Sequence, residues 1–167
     1  MNKNLFKTFA AAAMSVLALA CAKEQVGPGE GAMVEATFSV DVPGVEVSTK
    51  GLSDAASVNE LICQVFLNDG NYTPVPDLNQ TVEVKNKKAK VTFNLVKGQK
   101  YSFAFWAQVK GTGYYDTRDL RAVKMNVDAV KANDPAMDAY FAQKDFSALS
   151  TPVTDIKKNT VALYRAV

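Results

Sequence analysis

The stretch Lys100-Tyr101-Ser102-Phe103-Ala104-Phe105-Trp106-Ala107-Gln108-Val109 decides the fold. In an extended chain side chains alternate between faces, so Tyr101, Phe103, Phe105, Ala107 and Val109 share one side. Ser102, Ala104, Trp106 and Gln108 share the other. Both sides carry large apolar groups, which predicts a central strand with cover on each face. Working outward, Lys97-Gly98 turns the chain back into residues 90–96, where Val91, Phe93 and Leu95 alternate. Residues 81–85 and 90–96 flank Asn86-Lys87-Lys88 as a predicted hairpin. Residues 60–67 form a continuous β-rich run, expected as a second central strand, and Asn68-Asp69-Gly70-Asn71 supplies a turn after it. Residues 33–42 alternate Val34, Ala36, Phe38, Val40 and Val42 with polar partners, a half-buried strand that stops at Pro43-Gly44. Residues 120–127 and 158–167 are further strand candidates. The one helix signal is Asp134-Pro135, an N-cap residue followed by proline at the first helical position, which predicts a short helix reaching about Phe141. The sum is an all-β sandwich of about seven strands with one short helix and no fixed-period repeat.

A leader precedes this domain. Lys3 and Lys7 form a basic start, an uncharged run covers residues 8–20, and Leu17-Ala18-Leu19-Ala20 stands directly before Cys21. A positive start, a short apolar run and small residues at the cut describe a secretory signal. Leu-Ala-Leu-Ala-Cys resembles the lipobox of bacterial lipoproteins, which implies that Cys21 is acylated and becomes the mature N-terminus. The expected organisation is a lipoprotein signal peptide at 1–20, a flexible linker at 21–32 rich in Gly, Pro and Glu, and a folded domain at 33–167. Cys21-Ala22-Lys23-Glu24 looks like the signal that follows the lipidated cysteine in surface-exposed lipoproteins of Bacteroidetes. The expected location is therefore the outer membrane, lipid-anchored and facing the cell surface, with membrane contact through the lipid on Cys21.

Processing also changes the charge. The chain has 19 Lys+Arg and 17 Asp+Glu. Loss of Lys3 and Lys7 leaves 17 of each, and no basic block suggests nucleic acid as a partner. With Cys21 acylated, Cys63 is the only other cysteine and has no internal disulfide partner. It sits in the apolar run 61–66 and reads as a small core residue.

The chain contains no histidine, which removes Ser-His and Cys-His nucleophile arrangements and histidine metal sites. No CxxC, phosphate-cradling glycine loop or nucleophile elbow is present. Asp116/Asp119 read as a hydrogen-bonded loop and Asp134 as a helix cap, so no enzyme activity, metal or cofactor is expected. Three aromatics are candidates for ligand contact. Trp106 reads either as core or as a sugar-stacking platform, and Tyr114 and Tyr115, in a Gly-flanked loop, are expected to be exposed contact residues.

Several segments in order resemble one family. Asn59-Glu60-Leu61-Ile62-Cys63-Gln64-Val65-Phe66 and Asn94-Leu95-Val96-Lys97-Gly98-Gln99-Lys100-Tyr101-Ser102-Phe103-Ala104-Phe105-Trp106-Ala107 look like the N-terminal region of fimbrillin-type lipoproteins from Bacteroidales. Tyr115-Asp116-Thr117-Arg118-Asp119-Leu120, Ala132-Asn133-Asp134, Asp138-Ala139-Tyr140-Phe141 and Val161-Ala162-Leu163-Tyr164-Arg165 continue the likeness. The resemblance implies a transthyretin-like β-sandwich and a non-enzymatic, surface-anchored role as fimbrillin-like structural subunit or adhesin. Its implied partners are other fimbrial subunits or surface glycans and proteins. The alternative is a carbohydrate-binding lipoprotein of a polysaccharide-uptake system. Polymerising members of that family are cut after an arginine ahead of the strand corresponding to 60–67, whereas Lys50 is the only basic residue there. Such proteins have two domains, so the resemblance makes this chain a truncated member carrying the first.

Overall fold

The structure, a computed structural model, describes residues 31–43, 55–148 and 159–166. The expected signal peptide, Cys21, Lys50 and most of the 21–32 linker lie outside the described residues. Two sheets form the body. In the first, β1 (Met33–Asp41) lies between β4 (Lys88–Val96), antiparallel to it, and β9 (Thr160–Ala162), parallel to it. The second has the order β10 (Tyr164–Arg165), β8 (Ala139–Ser147), β5 (Lys100–Gln108), β2 (Glu60–Leu67) and β3 (Gln80–Glu83), antiparallel throughout. A two-stranded ribbon of β6 (Tyr115–Asp116) and β7 (Lys124–Met125) pairs with neither.

The alternation read from the sequence sorts the core. Val34, Ala36, Phe38 and Val40 of β1 and Val91, Phe93 and Leu95 of β4 face Leu61, Cys63 and Val65 of β2 and Tyr101, Phe103, Phe105 and Ala107 of β5. The Phe103 ring lies 4.8 Å from Phe38 and 4.9 Å from Phe93, across the gap between sheets. Each fully buried ring of this kind contributes roughly 1.5–3 kcal/mol relative to exposure. Cys63 is free and buried, and loss of solvation pushes its thiol up to about 12, so it acts as core filler. The fold class is all-β, a sandwich of two sheets around one core.

β5 and β2 occupy the central positions that their sequences predict, with β5 buried on both faces. Four local expectations are corrected. The helix from Asp134 to about Phe141 is a single 3-10 turn, Pro135–Met137, with Asp134 accepting from the Ala136 N–H as its cap. Ala139 then opens the nine-residue strand β8, because Tyr140 and Ala142 fill the core and the whole segment pairs with β5. Tertiary pairing overrides a local helix start. Strand character at 120–127 shrinks to β7, followed by a 3-10 turn at Val127–Ala129. The final run splits at Leu163, whose buried side chain joins the core while β9 pairs with the first sheet and β10 with the second.

The fourth correction concerns the hairpin at 86–88. Lys85 and Lys88 exchange both backbone hydrogen bonds at 2.9 Å, so the tip is a two-residue turn. Its arms then separate, β3 joining β2 and β4 joining β1, which makes the turn a corner between sheets. Asn86 (φ 51°) and Lys87 (φ 62°) both occupy left-handed backbone, the type I′ pattern. Asparagine tolerates this, whereas a lysine there is strained by about 1–2 kcal/mol. Lys87→Gly should therefore raise stability by up to about 1 kcal/mol after allowing for glycine's entropy. A urea midpoint that stays put or falls would refute strain at this turn.

Candidate ligand groove on the outer sheet face

The outer face of the five-stranded sheet is covered by residues 109–138, and the cover is attached by side chains whose types the sequence supplies. Gln64, on the outer side of β2, donates from Nε2 to the carbonyls of Thr117 (3.2 Å) and Arg118 (3.0 Å) and accepts from the Leu120 N–H (2.8 Å). One amide thus satisfies three backbone groups of the loop. Leu120 is thereby seated with Phe66, Ala104, Trp106 and Ala139 in a second, smaller apolar cluster. Farther along, the Tyr114 hydroxyl donates to the Asp134 carboxylate and the Tyr115 hydroxyl to the Met137 carbonyl.

These bonds correct the expectation that both tyrosines are exposed: Tyr114 is buried and Tyr115 is half-buried. Tyr114 is only 4% exposed, and Tyr115 is partly buried with its ring edge-on to Trp106 at 5.1 Å. Glycines on either side of a loop do not keep it off the protein when its hydroxyls have partners at the 3-10 turn that follows. The hydrogen bond from Tyr114 also holds Asp134 below the usual carboxylate range and raises the Tyr114 hydroxyl.

Trp106 combines both readings made of it. At 5% exposure it is packed like a core residue, yet it forms part of the wall of a groove of about 320 Å³. The groove is lined by Trp106, Leu120, Arg121, Val123, Phe141, Tyr164, Arg165 and Ala166. Strand register explains the aromatic part. Ile62 of β2 pairs with Trp106 of β5, Trp106 with Phe141 of β8, and Phe141 with Tyr164 of β10. A row of large side chains therefore crosses four adjacent strands, and Tyr164 at its end is 74% exposed. Trp106 donates its indole N–H to Gln108 (2.9 Å), which donates in turn to Glu60 (3.1 Å). The indole is fixed by these bonds and by the Tyr115 and Phe141 rings packed on it.

Two of the lining residues are arginines, each with a carboxylate partner. Arg121 stacks over the Phe66 ring at 4.6 Å and lies 3.5 Å from Asp119. Arg165 reaches Asp138 at 3.3 Å, and Asp138 is only 2% exposed. Asp138 also accepts from the backbone of Ala55 and from the Tyr140 hydroxyl. Burial nonetheless pushes its carboxyl above the ordinary value, against the pull of Arg165. Elsewhere, Asp116 is held down to about 2 by the Arg118 side chain, a local loop pair. A second cleft of similar size, lined by Asn59, Glu60, Thr81, Val82, Glu83 and Lys110, is polar, and its carboxylates face Lys110 (4.0 Å) and Lys85 (3.1 Å). Among the described residues no three His, Cys, Asp or Glu side chains converge to hold a metal, and no helix is long and apolar enough to cross a membrane.

Of the sequence candidates, then, Trp106 lines the groove, Tyr115 packs against Trp106 without lining it, and Tyr114 is buried beside Asp134; Cys21 lies outside the described residues. Phe141, Tyr164, Arg121 and Arg165 were missed. Reading 139–147 as an alternating strand would have put Phe141 on the face opposite Tyr140 and Ala142, and only the register with β5 sets it beside Trp106.

Asp138 gives the site a pH signature. A carboxyl whose folded value is raised favours folding while protonated, and that contribution is lost as pH rises through the folded value. The stability of the wild type relative to Asp138→Asn should therefore fall as pH increases from about 3, below the unfolded carboxyl value of ~3.9, to neutrality. Urea midpoints of both proteins across that range test this, and a difference that is flat or grows with pH would contradict it.

A family model described as a family of unknown function, DUF6562, matches residues 28–167. No curated protein and no solved structure is significantly similar to the chain. Since the matched segment covers far more than half of its length, the protein belongs to the DUF6562 family.

Proposed function

We propose that this protein is a non-enzymatic, lipid-anchored contact module of a Gram-negative outer-membrane surface, a fimbrillin-like structural subunit or adhesin with a transthyretin-like sandwich. The observation that carries the reading is the groove on the outer sheet face, where an aromatic row ends in the exposed Tyr164. Apolar walls with a few fixed polar groups are the usual make-up of a binding site. The nearby carboxylates are engaged in caps, turns and ion pairs, as at Asp134, Asp116 and Asp138. That arrangement supports holding a partner over transforming one. The anchor rests on the sequence at 17–21, and the fimbrillin-like role on the resemblance of residues 59–165.

A second reading, a carbohydrate-capturing lipoprotein of a polysaccharide-uptake system, is favoured by one particular of the groove. Trp106, Phe141 and Tyr164 lie in register across neighbouring strands, and the exposed Tyr164 at the end of the row offers a ring surface suited to a sugar face. The two readings share the groove and differ in the partner.

Two measurements test the proposal. Radiolabelled palmitate should enter the wild-type protein and not Cys21→Ala; equal labelling of both would remove the anchor. Cells displaying Tyr164→Ala should adhere to host cells and bacterial surfaces about tenfold less than cells displaying the wild type, as for loss of an interface anchor residue. Tyr164 is exposed, so the variant should fold normally; unchanged adhesion would remove the groove from the contact.

A further inference from the structure

We infer that the basic corner at residues 85–90, where the chain passes between the sheets, is a contact surface for a linear acidic polysaccharide, held chiefly by Lys87 and Lys90. This surface is separate from the groove and does not depend on it.

Residues 85–90 contain four lysines, Lys85, Lys87, Lys88 and Lys90, and no acid. Lys85 and Lys88 lie opposite each other across the turn and Lys90 follows two residues on, so these three share one face. Lys85 is 3.1 Å from Glu83 and Lys88 only 4.0 Å from Asp41, exposed pairs of the kind that hold a side chain weakly. Lys87 and Lys90 have no ion-pair partner among the described residues. Two free ammonium groups beside two loosely held ones complement a polymer that repeats negative charge.

The backbone singles out Lys87. It occupies left-handed backbone (φ 62°) at the second position of a type I′ turn, where glycine is the usual residue. A strained position that keeps a charged side chain, where glycine would relax it, points to a use for the charge. Protection of an open sheet edge accounts for lysines on β4, the edge strand of the first sheet. It does not account for Lys87, which precedes that strand.

The outer face of the first sheet, next to the corner, sets the partner's class. Ser39 lies opposite Lys90 with Thr160 beyond it, and Thr37 lies opposite Thr92, the two threonine hydroxyls 2.9 Å apart. Its acids are Asp41 beside Lys88 and Glu35 farther along, opposite Asn94. Hydroxyls suit the hydroxyls of a sugar chain, and this face carries no aromatic ring and no arginine. Protein interfaces draw on aromatic side chains and arginine, and single-stranded nucleic acid draws on stacking rings. Lys88 pairs with Asp41 at one end of β1 and Val96 with Met33 at the other, roughly 27 Å away at strand rise. The corner is therefore at the end of the sandwich opposite the 21–32 linker.

The full-length protein, purified in detergent, is passed over immobilised dextran sulfate, with uncharged dextran as the control backbone. Binding should saturate, weaken steeply with added salt and be absent on dextran. Lys87→Gly and Lys90→Gln should each weaken it about two- to fivefold, the range of an exposed charge pair. Lys87→Gly relieves the turn, so unfolding does not explain its loss of binding. Lys124→Gln, the same change of charge on β7, should bind like the wild type. If it falls as far as Lys90→Gln, or if both corner variants bind unchanged, the corner is no site and the inference is overturned. If polyglutamate or duplex DNA competes as strongly as dextran sulfate, the corner takes any polyanion and the sugar assignment fails. If Lys90→Gln self-associates and keeps its affinity, the lysines guard the open edge of β4 and the inference fails. Adhesion by Tyr164→Ala reports separately on the groove.

Discussion

The contact of Phe103 with Phe38 and Phe93 is the interaction on which the rest of the molecule depends. β5 is the only long strand whose two faces are both buried among the described residues, and Phe103 is near its middle on the inner side. Its ring meets one ring from each of the two long strands of the opposite sheet. Phe105 and Phe146 extend the same aromatic cluster around Phe38. The sheets are held at a spacing set by rings, and the chain makes no disulfide there, Cys63 being free. Because interiors are close-packed, a fixed inner face also fixes the outer face of the same strand. Trp106, one step past Phe105, is aimed outward as a direct result.

Three short connections keep the two sheets in register. The Lys85–Lys88 turn passes the chain from the second sheet to the first, and the segment Lys97–Gln99 passes it back. Tyr101 stabilises that return by accepting the Val96 N–H through its hydroxyl at 3.0 Å. The third connection is a single residue, Leu163, between β9 and β10. Its burial ties both edges to the core in one step. The groove depends on this last device, since Tyr164 and Arg165 reach β8 only because the chain changes sheet at Leu163.

Much of the fold was legible because the informative strands are strongly patterned. Residues 60–67 and 101–109 show dense β-branched and aromatic runs, and both became central strands. β8 was not legible, since Asp134-Pro135 is a strong local start signal and Ala139-Tyr140-Phe141-Ala142 does not contradict a helix. Pairing with β5 over nine residues decides the matter, and such pairing is absent from any local window. The hairpin at 86–88 was right at its tip and wrong in its arms for the same reason. The groove was legible only through Trp106. Its other members depend on register between strands far apart in sequence, as with Trp106, Phe141 and Tyr164. Tyr114 was misjudged because its partner Asp134 lies twenty residues on, across a loop whose path the residues do not state.

The parallel pairing of β1 with β9 has a bearing on how the chain reaches its fold. Asn159 donates to the Thr37 carbonyl across 122 residues of sequence, and Ser39–Asp41 pair with Thr160–Ala162 just beyond. Contacts of such separation carry a large loop-closure cost and form late. Until residues near 160 have emerged, β1 lacks its neighbour on that side and Leu163 is missing from the core. A segment threaded through a membrane pore in order would therefore pass most of its length before the sandwich could close. Pairing of β9 with β1, and burial of Leu163, then close the sandwich.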